Sequence, residues 1–131
     1  MQVNLGSHSN FGASVAVEYD GNYAIIGAPG DDIGGSPDQG SASIFQRSGT
    51  TWSQMTTFSA SDGDEYDGFG TSVSIDGDYA LVGAIYGDVG VNDYQGSAYI
   101  FFRSGANWNE QAKLVASDGE FSDYFGCSVS I

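Results

Sequence analysis

Apolar and polar residues alternate along much of the chain with the two-residue period of a strand that buries one face. Val73 and Ile75 are interleaved with Ser72 and Ser74, and Asp76-Gly77 follows, a hairpin signal because both turn positions tolerate a positive φ. Tyr79-Ala80-Leu81-Val82-Gly83-Ala84 is almost wholly apolar, which predicts a strand covered on both faces. After a loop of about a dozen residues, Ser97 to Phe102 reads as a third strand. Ser104-Gly105-Ala106-Asn107 then turns the chain into a fourth, Trp108 to Ala116.

The same grammar occurs earlier. A shift of 56 residues lays Asp20-Gly21 on Asp76-Gly77, Gly27-Ala28 on Gly83-Ala84, Gln39-Gly40-Ser41-Ala42 on Gln95-Gly96-Ser97-Ala98 and Trp52 on Trp108. Arg47-Ser48-Gly49 falls on Arg103-Ser104-Gly105, and Ala60-Ser61-Asp62-Gly63 on Ala116-Ser117-Asp118-Gly119. The opening Phe11-Gly12 strand carries two extra residues before its Asp-Gly, an insertion that keeps every side chain on its original face. Phe125-Gly126-Cys127-Ser128-Val129-Ser130-Ile131 starts a third copy. Four short antiparallel strands repeating at this length predict an all-β chain of about two β-propeller blades. The expected division is an atypical N-terminal segment over 1–10, a remnant of a preceding outer strand, then blades over 11–68 and 69–124. Residues 125–131 are expected to be the first strand of a third blade. Trp52 and Trp108, at one repeat position, are expected between blades.

Composition agrees with this reading: 20 Gly and 18 aromatic residues (8 Tyr, 8 Phe, 2 Trp) against 2 Pro favour short strands and tight turns. The net charge of −14 disfavours nucleic acid and anionic membranes as partners and suits cations or cationic partners. It also fits acidic loops that merely keep an aromatic-rich protein soluble. Cys127 is the sole cysteine, so no intrachain disulfide forms. No signal peptide and no transmembrane stretch is visible.

Phe-Gly at the start of each unit, Gly27-Ala28-Pro29 closing the second strand, and Asp-Gly-x-Tyr-Ala, Gly-Ser-Ala and Ala-Ser-Asp-Gly in fixed order resemble the FG-GAP repeats of integrin α-chain propellers and bacterial surface proteins. The resemblance covers about residues 11–131. It implies a multi-bladed extracellular or cell-surface propeller that binds protein or carbohydrate through loops on one face. Many members carry a calcium loop between the first two strands. Here only Asp20-Gly21-Asn22 and Asp76-Gly77-Asp78 stand there, too short to wrap a cation. Ile85 replaces the Pro of Gly-Ala-Pro in the second unit.

Two other regions gather carboxylates. Asp62, Asp64, Glu65 and Asp67 lie between the units, and Asp118, Glu120 and Asp123 repeat the pattern. They are candidate weak calcium ligands. The commoner use of such residues is in turns, with Asp67 and Asp123 accepting backbone amides. Asp31, Asp32 and Asp38, answered in the second unit by Asp88 and Asp93, occupy a loop that varies on a repeated frame, as a recognition loop would. Catalysis has little support, since His8 is the sole histidine and no nucleophile motif accompanies it. The leading expectation is a noncatalytic recognition or adhesion module. A structural spacer is the alternative, and a propeller hydrolase a third. Two blades do not close a ring of four to eight, so the expected neighbours are further blades in the same polypeptide or in oligomeric copies.

Overall fold

A computed structural model describes residues 8–131. The described residues form eight strands in two antiparallel sheets of sequential order, β1-β2-β3-β4 and β5-β6-β7-β8. The first comprises β1 (Ser14–Val17), β2 (Tyr23–Ala28), β3 (Ser41–Ser48) and β4 (Thr51–Phe58). The second comprises β5 (Phe69–Asp76), β6 (Tyr79–Ala84), β7 (Ser97–Ser104) and β8 (Asn107–Leu114). These are two propeller blades in succession, with β5 of the second packed on β1, β2 and β3 of the first. No described helix is long and apolar enough to cross a membrane.

Registers follow the pairing that alternation implies. Val73 lies opposite Val82 and Ile75 opposite Ala80, while Val15 lies opposite Ile26 and Val17 opposite Ala24. The two extra residues of the first unit, Glu18 and Tyr19, lengthen the β1–β2 turn without slipping the ladder. Both blades carry a register shift at one repeat position of the β3–β4 and β7–β8 pairs, at Ile44/Phe45 and Ile100/Phe101.

Each blade has two apolar faces, and one seam joins them. Ile25, Ala42, Ile44 and Ala60 of the first blade meet Phe69, Val73, Ile75, Ala80, Val82, Tyr99, Phe101 and Trp108 of the second in a single core. Phe69, fully buried, sits edge-on to Tyr99 at 5.4 Å and to Phe101 at 6.0 Å, and Phe58 stacks on Phe101 at 4.2 Å. Trp108 is buried in this seam, whereas Trp52, on the outer side of the first blade, stays 37% exposed.

The seam is close enough that two glycines touch. A β-carbon on Gly27 would come within 2.0 Å of the Gly70 carbonyl oxygen, and one on Gly83 within 2.0 Å of the Gly126 oxygen. That oxygen accepts a hydrogen bond in both repeats, from Ser14 Oγ to Gly70 and from Ser72 Oγ to Gly126, each at 2.7 Å. The Gly of each Phe-Gly pair thus rests on the Gly of the preceding blade's Gly-Ala pair. Gly70 has φ of 95°, a conformation that side-chain-bearing residues seldom adopt.

Of residues 125–131, expected as the first strand of a third blade, Phe125 makes a ladder contact. Phe125 begins like Phe69, as its amide donates to Gln95 O at 2.8 Å and it bridges Gly96 in parallel. Beyond that bridge residues 126–131 lie outside the eight strands, and the Ile131 amide donates to Ser74 Oγ at 3.1 Å. The expectation for 1–10 falls largely on residues 1–7, outside the described residues.

Gly70→Ala is expected to lower stability by at least about 2 kcal/mol, because a clash 2.3 Å from Ser41 O adds to the backbone strain. Gly77→Ala, at φ of 55° with open space around it, should cost about 1 kcal/mol. Urea unfolding midpoints of the two variants compare the losses directly, and equal losses would contradict a tight seam.

Candidate functional site

The loops at one end of the blades are bound to one another by backbone. Between blades, the amides of Tyr66, Gly68 and Phe69 donate in turn to the carbonyls of Pro37, Asp38 and Gln39, at 2.8, 3.1 and 2.9 Å. Ser122, Tyr124 and Phe125 repeat this on Asp93, Tyr94 and Gln95. Each β2–β3 or β6–β7 loop is therefore held against the link that leaves its own blade. Gln39 and Gln95 are buried under Gly63 and Gly119. The frame is nearly the same in both repeats, while the side chains it carries differ.

Most of the carboxylates singled out from the sequence are engaged in this frame. Asp31 is buried and accepts from Ser41 Oγ at 2.8 Å. Asp32 Oδ1 accepts the Asp38 amide and Asp88 Oδ1 the Tyr94 amide, both at 3.0 Å, so these two aspartates repeat one loop-closing bond. Asp67 Oδ2 accepts the Asp64 amide and Asp123 Oδ2 the Glu120 amide, the turn role that the spacing also allowed. Asp64 Oδ1 accepts the Glu65 amide, Asp93 contributes its carbonyl to the Ser122 amide, and Asp118 is exposed.

Asp62 joins the blades electrostatically, accepting from Tyr99 Oη at 2.9 Å and from Lys113 Nζ at 2.7 Å. Partial burial opposes its ionisation, but the bonds from Lys113 and Tyr99 outweigh it and hold the carboxyl below the usual range. Lys113 is also desolvated, yet the same partners raise it above the ordinary lysine value. Burial pushes Asp67 up, against its amide bond. Arg103 on β7 pairs with Asp78 at 2.5 Å, donates to Tyr23 Oη and lies over the Tyr23 ring at 4.3 Å, so it ties the blades structurally.

Among the described residues no three His, Cys, Asp or Glu side chains converge as metal ligands. Of the link carboxylates read from the sequence as candidate calcium ligands, Asp62, Asp64 and Asp67 line one hollow without converging on a common point, and Asp118, Glu120 and Asp123 lie in the following link. Asp64, Asp67 and Asp123 accept backbone amides, and Asp62 accepts from Tyr99 and Lys113. At the family's usual calcium position Asp20 accepts from the Asn22 amide and Nδ2 at 3.0 and 2.7 Å, a closed turn that does not fit the ion.

The structure gathers tyrosines that the sequence reading passed over around carboxylates that it named. A cavity of about 570 Å³ opens between the blades, lined by Asn10, Pro29, Gly30, Asp38, Tyr66, Gly68, Thr71, Ile85, Tyr86, Tyr94 and Tyr124. Tyr86 stands edge-to-face with Tyr94 at 6.1 Å and with Tyr124 at 6.0 Å, and Phe121 lies 6.2 Å from Tyr94. A second hollow, of about 330 Å³, shares Tyr66, Tyr86 and Tyr94 and is lined by Asp62, Asp64, Glu65, Asp67, Asp88 and Lys113.

Subtracting one repeat from the other would have found this cluster. Tyr86, Tyr94 and Tyr124 stand where the first unit has Gly30, Asp38 and Gly68. The backbone is equivalent there: φ is 49° at Asp38 and 56° at Tyr94, 66° at Gly68 and 54° at Tyr124. Tyr66, at 65°, shares this left-handed region. Asp, Asn and Gly accept it readily, whereas a bulky aromatic residue there costs about 1–2 kcal/mol. The four rings are 40–54% exposed, so full burial does not repay that cost.

Repeat, seam and loop frame together have a counterpart among known families. A family model described as FG-GAP repeat matches residues 5–45, 52–101 and 108–131, most of the chain. The chain belongs to the FG-GAP repeat family. The matched segments bracket the Phe-Gly and Gly-Ala pairs that meet in the seam, so the family's signature residues are the ones in backbone contact. FG-GAP repeats are typical of extracellular or surface proteins. No curated protein matches the chain.

The shifted carboxylates carry opposite pH signatures. The pKa of Asp62 is depressed in the folded state, so its stabilisation is present above the unfolded value near 3.8 and is lost as pH falls through the lower folded value. Asp62→Asn should therefore lower the thermal midpoint slightly at pH 7, by an exposed ion pair's worth of about 0–1 kcal/mol. That deficit should shrink below pH 3.8. Asp67 is raised, so its charge opposes folding at neutral pH, and Asp67→Asn, which keeps an acceptor for the Asp64 amide, should raise the midpoint at pH 7 with a gain that fades on acidification. Midpoints measured from pH 7 to pH 3 for both variants check the two signs.

Proposed function

We propose that the protein is a noncatalytic recognition or adhesion module of the cell surface or extracellular space, which binds a protein or glycan ligand through the loop end of its blades. The observation that carries this reading is the replacement of Gly30, Asp38 and Gly68 by Tyr86, Tyr94 and Tyr124 on an otherwise repeated backbone. Strained, exposed aromatic side chains gathered around one cavity are a poor investment for folding and a good one for contact. FG-GAP membership is in keeping with it, since such repeats form propeller-type modules often found in adhesion or surface proteins. Noncatalytic action is favoured by the way the loop carboxylates are spent on amides, Ser41 and Lys113, which leaves no evident acid and base paired across the cavity.

A second reading, as scaffold, rests on the outer faces of the blades. Phe11, Val15 and Val17 are 39%, 65% and 60% exposed, while their counterparts Phe69, Val73 and Ile75 are at most 8% exposed in the seam. On the far side Tyr79 and Leu114, counterparts of Tyr23 and Phe58, are 41% and 39% exposed. The outer faces are thus the two halves of the seam, and a further blade or a second copy would join head to tail through them. The two readings are compatible, because the loop end remains open when the faces are covered.

A glycan and protein array probed with the chain and with Tyr86→Ala/Tyr94→Ala tests the first reading. Ligands retained by the parent and lost by the variant are expected, and a uniform lack of binding or an unaffected variant would count against it. Light scattering tests the second: the parent should associate with rising concentration and Val15→Lys/Val17→Lys should not, each buried valine being worth about 1.5–3 kcal/mol. A parent that stays monomeric throughout would refute joining by copies.

A further inference from the structure

The chemistry of the tyrosine cavity narrows the ligand. Four phenol rings line it, and two pairs of them, Tyr86 with Tyr94 and Tyr86 with Tyr124, are set at 83° and 89°, so the walls form corners instead of one flat platform. Among the described residues Asp38 is the only charged side chain in the lining, which includes no Lys or Arg. The adjoining hollow adds Asp62, Asp64, Glu65, Asp67 and Asp88 against Lys113, whose charge is already answered by Asp62 at 2.7 Å. The whole chain carries a net charge of −14.

Such a field draws cations and turns away anions. Aromatic faces are negative at their centres and attract cations that shed water cheaply. A small hydrated ion prefers a cluster of carboxylates, which the cavity lacks. A quaternary ammonium group needs no hydrogen-bond acceptor for each of its faces, presents methyl groups to the rings, and keeps a charge for Asp38. A neutral sugar would use the rings but would leave Asp38 and the surrounding negative potential without a role.

Backbone strain supports a selected purpose for the rings. Asn10, Gly68 and Tyr124 occupy one repeat position, with φ of 51°, 66° and 54°, and only the third is a residue that this conformation disfavours. Gly68 in turn makes room, because a β-carbon there would lie 3.2 Å from the Tyr86 ring. Gly30 and Gly68 of the first unit and Tyr86, Tyr94 and Tyr124 of the second thus shape the hollow together with Tyr66.

We propose that this cavity binds a quaternary ammonium group, either free as in choline or carried on a choline head group. The proposal rests on the recognition reading of the loop end and specifies its ligand.

Titration of the intact chain with choline and with 3,3-dimethylbutan-1-ol, in which carbon replaces the charged nitrogen, followed by tyrosine fluorescence or proton NMR, tests it. Choline is expected to bind about tenfold more tightly than the neutral isostere, the difference being the charge on the rings and Asp38. Tyr124→Gly, which restores the residue of the first unit, should weaken choline several-fold without lowering the thermal midpoint. Asp38→Asn should weaken choline and leave the isostere unchanged. Phosphatidylcholine vesicles form a second arm, and binding to them without binding to free choline would assign the head group as the source. Equal affinity for choline and the isostere, or binding to neither choline nor vesicles, would overturn the proposal. If the array yields a ligand sensitive to Tyr86 and Tyr94 while choline fails, only the choice of ligand falls and the recognition reading stands.

Discussion

The contact between Gly27 and Gly70 sets the terms for the rest of the molecule. With a β-carbon there forced to within 2.0 Å of a carbonyl oxygen, only glycine lets the inner strands of successive blades come so near. That approach is sealed by the Ser14 hydroxyl on the same oxygen. It also brings Phe69 deep enough to be fully buried among Tyr99, Phe101 and Phe58. The hydrophobic seam and the polar seam are therefore one feature. The aromatic core is dry because the backbones touch, and the backbones stay in contact because the core holds them.

The same approach builds the loop end. Once Phe69 is drawn in, its amide and those of Gly68 and Tyr66 reach the carbonyls of Gln39, Asp38 and Pro37, and the link between blades becomes an edge of the preceding loop. Left-handed residues are then imposed at fixed repeat positions. At Asp38/Tyr94 and Gly68/Tyr124 the first unit carries residues suited to the geometry and the second carries tyrosines, while at Tyr66/Ser122 the order is reversed. Function, on this view, is written as departures from a repeat whose regular residues are committed to holding the blades.

Some of this was readable from residue order. Alternation in Val73 and Ile75, the continuous apolar run of Tyr79 to Ala84 and the Asp-Gly turns located the strands, because a sheet with two covered faces imposes those patterns locally. Several acidic positions read as metal candidates serve turns in the fold. Composition registers a carboxylate but not whether its oxygens meet an amide, and Asp67 and Asp123 do meet one. Phe125 to Ile131 has the spelling of a strand, and Phe125 bridges Gly96 as Phe69 bridges Gly40.

The order of residues by itself determined the repeat, the four-stranded unit and the two-sided character of each blade. Those properties are local, set by side-chain alternation and by the conformations glycine alone accepts. Packing decided which glycine rests on which carbonyl, which aspartates are consumed in turns, and that Tyr66, Tyr86, Tyr94 and Tyr124, up to 58 positions apart, share one cavity. That convergence depends on how two blades lie against each other. Contacts between side chains distant in the chain arise only when tertiary burial fixes the blades' mutual position.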